Sequence, residues 1–306
     1  MPELPEVETI ARGLAKRVTG DVIESVWLGS KREPLKSSPR EIVAALEGKR
    51  IADVRRVGKH IVFDLEAADA SRAPSPATVG GAGRRRSKQA LKKIGAPPLA
   101  GGGARPTLDG AQWIVHLGMT GRMLVSPPDA EVEKHTHAIA RLASGRELRF
   151  VDPRRFGRLS VAHGFQASGS EPLEVELERF VELFRGRKTP IKSALLNQKL
   201  LSGVGNIYAD ESLFRAGIRP RRRAASLTRE ELRRLYLAVQ EVLKEAIAAG
   251  GSSVSDYVDA DGDEGFFQLQ HRVYGREDEP CLVCKTPIKR VVIAGRSSHY
   301  CPHCQK

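Results

Sequence analysis

The chain has 306 residues, 41% of them apolar, and a formal net charge of +13. That length has room for two domains and a small appendage, and no apolar run reaches the roughly 20 residues that span a bilayer. The acidic, proline-containing start lacks the basic-then-apolar order of a secretion signal, so a cytoplasmic, nucleoid-associated protein with no membrane contact is expected, and the positive balance points to a polyanionic partner.

Met1-Pro2-Glu3 opens the chain. A proline beside the initiator Met permits Met removal, so the mature chain is expected to begin at Pro2 with a secondary amine. Terminal amines titrate near about 7.7–8.0, which leaves a neutral, nucleophilic fraction at neutral pH. Attack of such an amine on an aldehyde-level carbon gives a Schiff base; from proline the adduct is already a charged iminium. Glu3 can serve as general acid or base at the same carbon. Taken alone, these residues read as a proline that follows a start codon. The rest of the chain decides.

Pro5 and Glu6 start a helix whose apolar face runs Val7, Ile10, Leu14, Val18. A strand follows at Val22–Leu28, then a short helix at Pro39–Leu46 opened by Ser38. Ile51–Val57 and Ile61–Leu65 form a strand pair, with Arg55, Arg56, Lys59 and His60 on or beside the turn. Residues 67–110 are rich in Ala, Gly, Pro and Ser; they carry eight Lys/Arg against two Asp, so +6 of the +13 sits there. Their apolar content cannot offset ordering entropy, and a disordered, basic, solvated insertion between strands is expected. Further strands are expected at Trp113–Leu117, Ala138–Leu142, Leu148–Asp152 and Arg158–Val161, with Gly118-Met119-Thr120-Gly121 as a turn between strands. Many short strands and few helices make a β-sandwich or barrel-like N-terminal domain.

Beyond Ser168 the pattern becomes helical. Thr189-Pro190 is expected to cap a helix reaching Leu200, Gly203-Val204-Gly205 breaks it, and Asn206–Arg215 forms a second helix closed by Gly217. Two helices joined by a glycine turn can dock DNA and seat a phosphate on backbone N–H groups; helical hairpins are mostly plain packing units, and alone this one reads as such. Thr228 and Glu231 make a capping box for a long helix with the face Leu232, Leu235, Val239, Val242, Leu243, Ile247. A loop rich in Gly, Ser and Asp follows.

The last 26 residues hold all four cysteines, as Cys281-x2-Cys284-x16-Cys301-x2-Cys304, with five cations and no acidic residue. This spacing is that of an all-cysteine zinc site closed by a β-hairpin. Four thiolates leave no open ligand position, so one structural Zn2+ is expected, with His299 and His303 as bystanders.

These motifs together resemble the bacterial formamidopyrimidine-DNA glycosylase (Fpg/Nei) family. The resemblance rests on residues 1–9, on His116-Leu117-Gly118-Met119-Thr120-Gly121 and on Asp152-Pro153-Arg154-Arg155-Phe156-Gly157. It rests also on residues 201–209, on Val273-Tyr274-Gly275-Arg276, on the four cysteines and on Arg296. It covers the chain in order except for the insertion. It implies an α+β multidomain protein: an N-terminal β-sandwich with flanking helices (residues 2–165), a helical helix–two-turn–helix domain (166–275) and a zinc-finger β-hairpin (276–306). The implied activity is removal of oxidised purines, chiefly 8-oxoguanine and formamidopyrimidines, from damaged double-stranded DNA, followed by strand nicking, by a monomer.

By the same resemblance Pro2 and Glu3 carry the chemistry, and Lys59 and Arg296 belong to the catalytic pocket and its phosphate grip. Met119, Arg154 and Phe156 fill the gap left by the extruded nucleotide, Asn206 and His116 contact DNA, and residues 251–257 close over the base. The family commonly has His-Asp-His where this chain has His135-Thr136-His137, which is expected to affect local structure or lesion preference. Two alternatives stand beside this reading: an endonuclease VIII-like enzyme for oxidised pyrimidines, and a zinc-ribbon DNA-binding protein without catalysis.

Overall fold

A computed structural model describes residues 1–31, 33–68, 110–253 and 265–306. Nearly all of the insertion, and residues 254–257 of the loop expected over the base, lie outside those residues.

Helix α1 (Leu4–Val18) starts one residue before Pro5, which sits in the first turn where no N–H is needed, and buries Val7, Ile10, Leu14 and Val18 as the periodicity requires. Strands β1 (Val22–Leu28), β2 (Lys49–Val57), β3 (His60–Ala67), β4 (Gln112–His116), β5 (Arg122–Ser126), β6 (Thr136–Leu142), β7 (Glu147–Val151) and β8 (Arg158–Ala162) follow, with α2 (Pro39–Leu46) after β1. They form one antiparallel ladder in the order β5-β7-β6-β1-β2-β3-β4-β8. The β1–β2 join is short, Val22 opposite Arg50 and Ile23 opposite Lys49, so the ladder divides into two four-stranded halves. Both halves send side chains into one core, including Phe63 and Trp113 from one and Met123 and Phe150 from the other. Strand β5 is the strand that the 118–121 turn implied without bounds; among the described residues it pairs only with β7 and buries only Met123.

The second core gathers α3 (Leu177–Phe184), α4 (Ile191–Leu195), α5 (Asn206–Ala216) and α6 (Arg229–Ala248) around Phe180, Phe184, Tyr208 and Leu235. Helix α4 ends at Leu195 and not at Leu200 as the sequence suggested. The Gln198 side chain takes over the backbone groups a helix would have paired. It donates to the carbonyls of Leu196 and Val204 and accepts from Gly203 N, lacing residues 196–204 into a double turn. Pro190 is the N-cap residue, and Thr189 supplies no capping bond. Helix α5 closes on Gly217 at φ +72°, the left-handed position glycine favours.

Leu4 of α1 belongs to this second core, while Val7 onward belongs to the first. The N-terminus therefore lies on the seam between the two. A third, small cluster of Val273, Cys281, Ile288 and Cys301 supports the hairpin β9 (Lys289–Ile293) and β10 (Arg296–Tyr300). Among the described residues no helix is long and apolar enough to cross a membrane.

Candidate active site

Pro2 and Glu3 sit where the first turn of α1 meets the N-terminus of α5, held by Leu4 N donating to Gly203 O at 3.1 Å. The Glu3 carboxylate enters the α5 end, where Oε1 accepts Ile207 N at 3.2 Å. Helix N-termini leave N–H groups unpaired and favour negative charge. Gly205 makes room for this: a Cβ there would lie 2.1 Å from Glu3 Cδ. The other oxygen, Oε2, is buried and has no hydrogen-bond partner among the described residues. Glu6 locks the turn below it, accepting Glu3 N at 2.7 Å, Ser252 N at 2.8 Å and the Tyr208 hydroxyl.

Burial pushes the Glu3 carboxyl up to about 7, against the pull of the Lys59 ammonium. Lys59 is itself buried, and that burial lowers its pKa while Glu3 and Glu6 draw it back up. At neutral pH Glu3 is thus divided between acid and carboxylate, the condition for giving and taking a proton in one cycle.

A cavity of about 830 Å³ opens above this pair; Pro2, Glu3, Lys59, Met119, Asn206, Tyr274 and Arg296 all line it. Residues from all three parts of the chain therefore meet at one point. Three other expected residues do not line it. Arg154 and Phe156 lie on the neighbouring 152–157 loop, exposed, with the guanidinium 5.0 Å from the ring centroid. His116 is half-buried against His60; burial, then the nearby cations, push its pKa down to about 4. It is neutral at pH 7, and its Nδ1 accepts Gly118 N at 3.1 Å, which shapes the turn carrying Met119.

Asp152, given no role from sequence, aligns the loop that carries Met119 with the loop that carries Arg154 and Phe156. It accepts Thr120 Oγ1 at 2.6 Å, Arg154 N at 3.2 Å and Gly157 N at 2.7 Å. The backbones are in close contact, since a Cβ on Gly118 would lie 2.5 Å from Gly157 N. Met119 and Phe156 remain 42% and 48% exposed, unlike core residues of their size. His137 turns inward, its Nε2 2.9 Å from the Asp152 carbonyl.

The hairpin reaches the cavity through a buried ion pair that the sequence did not reveal. Lys192 Nζ lies 2.7 Å from Asp210 Oδ1 and donates to the Ser297 carbonyl at 2.6 Å. Asp210 Oδ2 accepts His299 N at 2.9 Å. The adjacent Glu211 accepts the backbone N–H groups of Arg272, Val273 and Tyr274. Two neighbouring carboxylates on α5 thereby fix the strand that carries Arg296 and the loop that carries Tyr274. At the far end, Cys281, Cys284, Cys301 and Cys304 bring their sulfurs within 4.8 Å of one another. Four thiolates at a Zn–S bond of about 2.3 Å stand roughly 3.8 Å apart, and the pairs at 3.9 and 3.4 Å fit one structural zinc ion.

A β-sandwich with a carboxylic acid at its N-terminus, a helix–two-turn–helix and a zinc hairpin facing one cavity define a zinc-finger DNA glycosylase. The chain matches the N-terminal domain model of formamidopyrimidine-DNA glycosylase over residues 1–159. It matches that enzyme's H2TH domain model over 169–258, and the zinc finger found in FPG and IleRS over 278–306. It belongs to the formamidopyrimidine-DNA glycosylase family. A formamidopyrimidine-DNA glycosylase of Solibacter usitatus is 44% identical over 310 residues, covering all of both chains. The crystal structure of MutM (FPG) from Thermus thermophilus superposes with a TM-score of 0.77 at 39% identity, covering 99% of this chain and 98% of that one. MutM bound to DNA containing carbocyclic 8-oxo-G gives 0.79 at 30% identity, with both chains fully covered.

Proposed function

We propose that this chain is a bifunctional glycosylase and abasic-site lyase of base excision repair, a monomer acting in the bacterial cytoplasm on oxidised purines in duplex DNA. The observation that carries the reading is the Pro2-Glu3 pair in the wall of the cavity, with one buried Glu3 oxygen unbonded and its carboxyl poised at about 7.

Removal of Met1 frees the Pro2 nitrogen. Its lone pair forms a bond to C1′ of the damaged nucleotide, and the glycosidic C–N bond breaks with its electrons leaving on the base. The proton left on the Pro2 nitrogen passes to the departing base, and protonated Glu3 gives its own proton to the deoxyribose ring oxygen as the C1′–O4′ bond opens, leaving an iminium between Pro2 and C1′. The iminium acidifies the C2′ hydrogen; loss of that proton expels the 3′ phosphate, and a second elimination expels the 5′ phosphate. The reaction requires the nucleotide outside the stack, and the exposed Met119 and Phe156 with Arg154 form the wedge that fills its place. Lys59, Asn206 and Arg296 hold the phosphates around the extruded nucleotide, His116 supports the Met119 turn, and the zinc on Cys281, Cys284, Cys301 and Cys304 keeps the Arg296 hairpin rigid. The chain divides functionally into residues 2–165, 166–275 and 276–306.

Single-turnover assays on duplexes bearing 8-oxoguanine, a formamidopyrimidine or thymine glycol test this. Excision of both purine lesions ahead of thymine glycol is expected, with Pro2→Gly and Glu3→Gln failing on all three. A preference for thymine glycol would move the chain to the endonuclease VIII-like reading, and full activity in both variants would remove the assignment.

A further inference from the structure

Cations without counterions gather outside the cavity, at the end of α4 remote from the double turn. Residues 185–190 lead into α4, and residues 219–223 follow α5. The two segments run side by side. Ile191 N donates to Arg222 O at 2.7 Å, Ala224 N to Thr189 O at 3.0 Å and Ala225 N to Arg187 O at 2.8 Å, and Pro190 stands opposite Arg223. Together they carry Arg185, Arg187, Lys188, Arg219, Arg221, Arg222 and Arg223 and no acidic residue. Glu231 neutralises Arg222, with contacts at 2.5 and 3.1 Å. Among the described residues Arg187 and Arg219 bond only carbonyl oxygens, which leave their charge uncompensated. Arg185, Lys188, Arg221 and Arg223 are exposed, and no ion pair holds any of them among the described residues.

A lone exposed cation is ordinary. Here the backbone pairs two cationic segments against each other, so their repulsion is built into the fold and is relieved by a polyanion. The ridge is also continuous with the site. Arg221 reaches the Val292 carbonyl at 3.5 Å, and Val292 lies opposite Ser297, beside the Arg296 that lines the cavity. Helix α4 runs from the ridge into the cavity wall at Ser193, Leu196 and Asn197. Its five residues span about 8 Å, or roughly two to three base-pair steps of duplex at about 3.4 Å each.

We propose that this ridge is a second anchoring surface for the same duplex. Arg185, Lys188, Arg221 and Arg223 take backbone phosphates on one flank of the lesion, a few base pairs from the cavity. Guanidinium forks suit phosphate oxygens, and such contacts add affinity and register without reading sequence. The inference rests on lesion-bearing duplex occupying the cavity.

The test uses the full zinc-loaded chain and a quadruple variant, Arg185→Gln, Lys188→Gln, Arg221→Gln and Arg223→Gln. Affinity for a duplex with a tetrahydrofuran abasic analogue and ten base pairs on each side is followed by anisotropy from 50 to 200 mM salt. Each phosphate contact contributes about 0.9 to the slope of log K against log salt, so the variant slope is expected to be shallower by about 3 to 4. Trimming one flank to two base pairs is expected to give the wild type the variant's slope, and trimming the other to leave the difference intact. Excision of 8-oxoguanine at saturating enzyme is expected to be unchanged. An unchanged slope on the long duplex, or equal loss from trimming either flank, overturns the proposal. A wild type that neither binds nor excises the lesion would instead overturn the reading of the cavity.

Discussion

Replacing Glu3 by Gln separates the cost of the active site from its benefit. Burial holds the Glu3 carboxyl at about 7 against an ordinary 4.5. A group whose folded pKa lies above its unfolded one stabilises the fold below the unfolded value, and that contribution is lost as pH rises through the folded value. At about 1.4 kcal/mol for each tenfold change in ionisation, the gap between 4.5 and about 7 amounts to roughly 3 kcal/mol. Gln stays neutral throughout. Its carbonyl keeps the bond from Ile207 N, and its amide replaces an oxygen that has no partner. Because the unfolded carboxyl is already largely ionised at pH 5, the wild type should lose roughly 2 to 3 kcal/mol relative to Glu3→Gln between pH 5 and pH 8. That is about 4 °C in melting temperature at about 2.1 cal/mol/K per residue. Calorimetric melts of both proteins at the two pH values isolate this difference, because every other titrating group is shared. The variant should be the more stable protein at pH 8 and an inactive one. A melting difference that is the same at both pH values would refute the reasoning.

Gly205→Ala places a Cβ 2.1 Å from Glu3 Cδ; single-turnover excision should fall at least 100-fold while binding of an abasic-analogue duplex changes little. Lys192→Met leaves Asp210 charged and buried, since the pair is almost wholly enclosed. Breaking such a pair costs about 3–5 kcal/mol, so chemical denaturation should show a loss of that order, part of it recovered on adding Asp210→Asn. Stripping the zinc should weaken DNA binding as Arg296 loses its support and leave the sandwich's near-ultraviolet dichroism intact; unchanged affinity after verified metal loss would count against that role.

The elements legible in the sequence are those with local signals. The face of α1, the Thr228–Glu231 box of α6 and the cysteine spacing all place residues by short-range periodicity or chemistry, and the structure keeps them. Pro2-Glu3 had meaning only beside motifs hundreds of residues away. What escaped is long-range pairing. Asp210 with Lys192 and Ser297, Glu211 with residues 272–274, and Asp152 with Thr120 join segments whose contact no local pattern encodes. The early end of α4 belongs here too, because Gln198 competes with the helix only once Val204 has folded back onto it. Helix α3 did carry a signal, Phe180, Leu183 and Phe184 on one stripe, whereas β5 was placed by the turn before it but, with a single buried residue, had no pattern to set its bounds.

The covalent step is the claim on which the rest depends, and locating it is the most direct measurement. Borohydride reduction during reaction with 8-oxoguanine duplex should trap a protein–DNA adduct. Peptide mass analysis should place that adduct on a chain that begins at Pro2. Cleavage without a reducible adduct, or an adduct on a lysine of a chain that still carries Met1, would contradict the account.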